Sequence, residues 1–317
     1  RTYKGILAKA GRFGMYKYKA PRGTTDILPQ KQSSWRFVEE KAGEICQLYG
    51  YGRIDTPVFE QTGLFYHSIG EGTDIAEKEM YTFKDRSGDS MTLRPEGTAP
   101  VCRAYIEHGM HNFPQPVRLY YFGPIFRYER PQKGRYRQFY QINAEIFGVQ
   151  SGLVDVQLIF LLVTLFSRLQ VSDVKAHINS LGCPKCRPEF KAALSGFLTS
   201  VSDKLCSDCV RRKDHNPLRV LDCKVPSCRE AMADAPSILD HLCSDCKADF
   251  AEVKKMLEKL GVPFVVDKNL VRGLYYYART TFEIQTESLG AQNAIAAKAD
   301  QLVVVISASE NHNQANV

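Results

Sequence analysis

Residues 117–148 read VRLYYFGPIFRYERPQKGRYRQFYQINAEIFG. Aromatic and β-branched side chains crowd both ends of the stretch, as they do in strands, and the turn formers Pro131 and Gly134 fall between them. The pattern recurs upstream in MYTFKD (80–85) and SMTLRP (90–95), set apart by Gly, Pro, Asp and Ser. Connections this short, without intervening helices, favour an antiparallel sheet from Arg53 to Ala144 and argue against a doubly wound parallel one.

Helices flank this region. Trp35, Val38, Ala42, Ile45 and Tyr49 recur at helical spacing before Gly50, which predicts an amphipathic helix over 31–49. Asp155–Gln170 contains the longest apolar run, Leu158 to Phe166, too short for the roughly 18 residues that span a bilayer and so expected as a buried helix. Strands are expected at 175–180, 262–266 and 276–285, a helix at 248–260 before Gly261, and a further strand-like run at 302–306. The α+β pattern fits one large core plus a smaller module within 317 residues. A net charge of +7 favours an anionic partner, and the absence of an apolar secretory segment near Arg1 points to the cytosol.

Three segments go beyond packing: TLRPEGT (92–98), FRYERPQKGRYRQFYQINAEIFG (126–148) and LVRGLYYYARTTFE (270–283). In this order they resemble the histidine-binding loop, motif 2 and the histidine-specific arginine motif of class II histidyl-tRNA synthetases of the bacterial type. The resemblance runs from about Tyr16 to Ala297. It implies a class II aminoacyl-tRNA synthetase catalytic fold, an antiparallel sheet flanked by helices with a helical Cys-rich insertion. It also implies a two-step reaction in which L-histidine and ATP, with Mg²⁺, give histidyl-adenylate, and tRNA(His) then takes the histidyl group. A homodimer formed through the motif 1 segment, from the helix through Tyr49 to the strand ending near Pro57, is part of the same expectation.

The residues support these roles with different strength. The attack of a carboxylate on the α-phosphate concentrates negative charge, and arginine suits it. Arg127 matches the motif 2 arginine, with an ion pair to Glu129 as the alternative from local sequence. Arg272 matches the second catalytic arginine, or else is a turn cation before Gly273. Arg135 matches a contact to the ATP phosphates, or is an exposed hairpin charge. For histidine, Glu96 matches the ammonium ligand with Thr98 beside it, Gln141 a polar contact, and Glu145, Tyr276 and Tyr277 the imidazole pocket. Glu145 lies in the apolar run INAEIFG, where an unpartnered acid would be costly. For the two tyrosines, core packing is the alternative.

Eight of the ten cysteines fall between Cys183 and Cys246. Cys183, Cys186, Cys206, Cys209, Cys223, Cys228, Cys243 and Cys246 could supply one or two tetrahedral, structural Zn²⁺ sites, or pack as small apolar groups; spacing does not assign their pairing. Arg211, Arg212, Lys213 and Arg219 in the same stretch would suit the acceptor stem of a tRNA, or form a solvated basic face. Cys46 and Cys102 read as packing residues.

The expected organisation is an N-terminal extension at 1–14, catalytic residues at 15–180, the Cys-rich insertion at 181–261, a return to the catalytic domain at 262–297 and a divergent tail at 298–317. Tyr275 stands where the family usually has Asp. The tail holds neither a motif 3 arginine nor an anticodon-binding domain, so the chain reads as a truncated synthetase. A regulatory relative that binds histidine without charging RNA is the rival reading.

Overall fold

In the computed structural model the described residues are 18–70, 75–131, 135–221, 223, 225–271, 278–286 and the backbone of 302–304. The extension at 1–14, Arg272, Tyr275, Tyr276, Tyr277 and most of the tail lie outside them.

The hairpin anticipated at 117–148 is the centre of the fold. Strands β5 (Val117–Phe126) and β6 (Gln138–Phe147) pair antiparallel along their whole length, with Tyr121 opposite Asn143 and Leu119 opposite Glu145. Helix α1 (Gln32–Leu48) precedes them and ends at Gly50, whose φ of +78° is a left-handed value that glycine adopts freely. After it, β1 (Gly52–Arg53) joins β5 in parallel, and β10 (Leu302–Val304) joins the far side of β6, also in parallel. A second sheet has β4 (Ser90–Leu93) between β2 (Phe59–Gln61) and β3 (Tyr81–Lys84), all antiparallel. A third has β7 (Val174–Ser180) between β8 (Phe264–Val266), parallel, and β9 (Thr280–Thr286), antiparallel. The sequential neighbours β3–β4 and β5–β6 are antiparallel as expected, as are β2–β4 and β7–β9 across longer connections, whereas β1, β8 and β10 run parallel to their partners.

Two helices interrupt the region read as strands alone. Helix α2 (Thr62–Ile69) buries Phe65 and Ile69, and α3 (Thr98–Glu107) buries Val101, Ala104 and Tyr105. Pro100 falls in the first turn of α3, where a missing N–H costs nothing.

Helix α4 (Gly152–Arg168) is apolar on two sides because it is wedged between two layers. Leu158, Leu161 and Leu165 pack with α1 and with Ile142, Ala144 and Ile146 of β6. Val156, Ile159, Leu162 and Phe166 pack with Ala176 and Ile178 of β7 and with Phe250, Val253 and Leu257. Each such side chain, fully buried, contributes about 1.5–3 kcal/mol. Ser151 starts the helix by accepting from the Leu153 N–H at 3.2 Å.

Residues between β7 and the final strands bury a cluster of their own. Helix α5 (Arg187–Ser200) contributes Phe190, Leu194 and Leu198, and the short helices α6 (Ser207–His215) and α7 (Pro226–Ala231) contribute Cys209 and Cys228. Helix α8 (Ser244–Lys259) then returns to α4. It begins four residues before the expected Ala248, since Ser244 and Asp245 favour a helix N-terminus. No helix among the described residues is long and apolar enough to cross a membrane.

Candidate active site

Strand β6 presents different chemistry on its two faces. Ile142, Ala144 and Ile146 point toward α1 and α4, so Gln141, Asn143 and Glu145 line the other face. These three are 2%, 1% and 0% exposed, a stripe of polar groups in a place where the chain usually puts apolar ones.

The N-terminus of α3 closes over this stripe. The Glu96 carboxylate accepts from the Thr98 N–H at 2.7 Å and from the Ala99 N–H at 2.9 Å, so the acid is fixed by the first turn of the helix. The Thr98 hydroxyl, Oγ1, donates to Glu145 Oε1 at 2.7 Å. Glu96, Thr98 and Glu145 therefore form one buried set. Burial raises the Glu96 carboxyl above its usual range, while the Ala99 and Thr98 N–H groups and the Arg127 charge pull against it.

Gly97 makes this closure possible. A β-carbon there would lie 1.5 Å from Tyr121 Oη and 2.0 Å from its Cζ. Tyr121, on β5 opposite Asn143, is thus pressed against the Glu96–Thr98 loop. Buried Arg94 braces the same region: Nε donates to the Pro124 carbonyl at 2.8 Å, Nη1 donates to the Thr56 carbonyl at 2.9 Å, and the guanidinium lies over the Tyr121 ring.

Arg127 continues from the end of β5. Its Nε donates to the Pro95 carbonyl at 2.7 Å, and its guanidinium lies over the Phe139 ring, 5.4 Å from the centroid. The ion pair with Glu129 is also present, at 3.9 Å, so both readings of Arg127 are compatible with its position. Arg135 reaches the other Glu129 oxygen at 3.6 Å and is more exposed than Arg127.

Tyr121 Oη, Gln141 Oε1 and Asn143 Oδ1 are buried without a hydrogen-bond partner among the described residues. Such groups are costly unless something else satisfies them. Two of the three are acceptors, so the described residues leave the site short of N–H donors. Tyr121, Asn143 and Arg94 were not singled out from the sequence. The alternation Gln141, Asn143, Glu145 would have included Asn143; Tyr121 needs the hairpin register and Arg94 the packing of the loop.

Away from this site, the insertion thiols form two groups of four, Cys183, Cys186, Cys243 and Cys246, and Cys206, Cys209, Cys223 and Cys228, either of which could hold a metal ion. Cys46 is 1% exposed, its thiol pushed up to about 12 by burial, as a packing residue would be. Cys102 is likewise raised, chiefly by burial.

Comparison with known proteins accords with this geometry. The family model for histidyl-tRNA synthetase matches residues 23–298. The chain is 59% identical over 275 residues to the histidine–tRNA ligase of Desulforapulum autotrophicum and 55% identical over 276 residues to that of Syntrophotalea carbinolica, with 87% of this chain covered in each case. It spans 65% and 66% of the length of those relatives. The crystal structure of apo S. aureus histidyl-tRNA synthetase superposes with a TM-score of 0.67 at 40% identity, covering 85% of this chain and 62% of that one. An ATP phosphoribosyltransferase regulatory subunit/histidyl-tRNA synthetase from Bacillus halodurans, at 21% identity and a TM-score of 0.61, shares the fold. With its model matched over most of the chain and close relatives along the same span, this chain belongs to the histidyl-tRNA synthetase family.

Proposed function

We propose that this chain carries the amino-acid activation centre of a histidine–tRNA ligase, which joins L-histidine to tRNA(His) using ATP. The observation that carries this reading is the buried polar stripe beneath Glu96, whose acceptors Gln141 Oε1 and Asn143 Oδ1 have no partner among the described residues. Histidine offers what those groups lack: an ammonium group and an imidazole N–H, all donors. Glu96 uses two of its lone pairs on the α3 backbone and keeps others for the ammonium group. Glu145, oriented by Thr98, would hold one imidazole nitrogen, with Gln141 as a further polar contact and Tyr276 and Tyr277 completing the pocket. A site built from hydrogen bonds rejects apolar amino acids, because they would leave its polar groups buried and unpaired.

Arg127, anchored on the Pro95 carbonyl beside Glu96, would hold the histidine carboxylate against the α-phosphate of ATP. A carboxylate oxygen bonds to that phosphorus, the bond to the β-phosphate oxygen breaks, and pyrophosphate leaves. Arg272 would stabilise the same phosphoryl charge, and Arg135 the phosphate tail. Mg²⁺ bound to the nucleotide would offset the charge of its phosphates. In the second step the terminal ribose hydroxyl of the tRNA attacks the histidyl carbonyl and AMP leaves. A homodimer in the cytoplasm belongs to this reading; the exposed Leu48 within the motif 1 segment, and Val58 and Phe59 just after it, support association there.

The test is histidine-dependent exchange of labelled pyrophosphate into ATP, paired with calorimetry of histidine binding. Exchange with histidine and with no other amino acid is expected. Binding without exchange would move the reading to a histidine-binding regulator, and absence of binding would end it.

A further inference from the structure

The two groups of thiols in the insertion have a geometry that sequence spacing did not determine. Within each group all four sulfur atoms lie within 4.8 Å of one another. Cys183 Sγ is 3.6 Å from Cys186 Sγ and 3.8 Å from Cys243 Sγ, and Cys206 Sγ is 4.0 Å from Cys223 Sγ. A disulfide needs about 2.05 Å, and none of the eight is so bonded. Four thiolates around a zinc ion at about 2.3 Å form a tetrahedron whose edges are about 3.8 Å. The observed separations straddle that edge. A four-iron cluster, whose thiolates splay around a cube of metal and sulfide, requires wider spacing.

The backbone is arranged for the charged form of the ligands. The Cys243 N–H donates to Cys186 Sγ at 3.2 Å, and the Cys206 N–H donates to Cys228 Sγ at 3.1 Å. Cys186, Cys206 and Cys243 occupy the N-cap positions of α5, α6 and α8, and Cys209 and Cys246 lie in the first turns of α6 and α8, where the helix dipole favours a thiolate.

From this arrangement we infer that the insertion holds two structural zinc ions, one on Cys183, Cys186, Cys243 and Cys246 and the other on Cys206, Cys209, Cys223 and Cys228. Four protein ligands fill each tetrahedron and leave no position for a substrate. The first site joins the chain just after β7 to the start of α8, so it clamps the point where the insertion leaves the sheet to the point where it returns. The second ties α6 to the start of α7 across the 3-10 turn Pro217–Val220. Cys186, Cys209, Cys228 and Cys246 belong to the buried cluster around Phe190, Leu194 and Val220, so each site would staple that cluster directly. Site two also fixes α6, which carries Arg211, Arg212 and Lys213.

The experiment is metal analysis of the full chain, produced without a polyhistidine tag and purified under reducing conditions without chelator. Two equivalents of zinc per chain are expected. Titration with a mercurial should release both while consuming eight thiols. C206S/C209S and C243S/C246S should each retain one equivalent. Cobalt substitution should give the intense ligand-field bands of tetrahedral thiolate coordination, halved in each double variant. Loss of both equivalents in either double variant, or of neither, would overturn the pairing. Wild-type protein with less than half an equivalent and no cobalt spectrum, or with its thiols recovered as disulfides, would overturn the metal. The wild-type stoichiometry and thiol count decide the question even if a variant fails to fold, and they do not depend on the catalytic reading.

Discussion

Replacing Gly97 with alanine tests how tightly the site is closed. The residue sits at φ −113° and ψ −16°, which alanine adopts without strain, so any cost is steric or a matter of helix capping. The added carbon would stand 1.5 Å from Tyr121 Oη, against 3.4 Å for ordinary contact, so the hydroxyl would have to retreat about 1.9 Å. Tyr121 is 1% exposed and covered by the Arg94 guanidinium, so the retreat disturbs the packing around it. Overpacking of this kind costs about 1–3 kcal/mol. Gly97 is also the N-cap of α3, where alanine costs about 0.5–1 kcal/mol by itself. A double-mutant cycle separates the two. In urea unfolding, Gly97→Ala should cost about 1.5–4 kcal/mol in the wild type but only the capping share in a Tyr121→Ala background. Equal costs in the two backgrounds would refute the argument that the missing side chain makes room for the tyrosine.

Thr98→Val removes a donor to the buried Glu145 carboxylate, worth about 1.5–3 kcal/mol, and calorimetry should show histidine affinity reduced at least tenfold; unchanged affinity would count against the shared pocket. Because burial raises the folded pKa of Glu96 above its unfolded value, the free protein should lose stability as pH rises through the interval between the two, while histidine affinity increases as the carboxylate forms. Glu96→Gln should remove that component of both slopes, and slopes that persist unchanged in the variant would exclude Glu96 as their source. Arg127→Lys keeps the charge but loses the fork, so pyrophosphate exchange should fall at least tenfold with histidine binding retained; parity with the parent would assign the arginine to its ion pair with Glu129. Asp249 on α8 accepts from the Gly152 N–H at 3.0 Å and pairs with Arg279 at 3.5 Å. Asp249→Ala should lower the urea midpoint by an amount equivalent to about 1–3 kcal/mol with an unchanged m value, which equilibrium unfolding will check.

Much of this fold was legible because it rests on local patterns. The aromatic run at 117–148 gave the hairpin, and the apolar run within 155–170 gave a buried helix. Helices α2 and α3 escaped because they are short and sit among strand-like segments, with Pro100 in the first turn of α3. The parallel placement of β1, β8 and β10 depends on long connections and leaves no local mark. In the site, Glu96, Thr98 and Glu145, all legible from the sequence, lie together, with Gln141 buried on the same face of β6. Tyr121 and Arg94 were not, since only the pairing of β5 with β6 and the packing of the 94–98 loop bring them there. The sulfur groups show the same limit: spacing reveals half-sites, and tertiary structure pairs them.

The alternation along β6 also bears on how the protein avoids misassembly. If β6 slipped by one residue against β5, Gln141, Asn143 and Glu145 would be thrust among Ile45, Leu158 and Leu161, and Ile142 and Ala144 would face Glu96. Such a product would bury three polar groups in an oily layer and lose the pocket in the same stroke. The same alternation that builds the pocket therefore penalises the wrong registry, so stability and function select one alignment together.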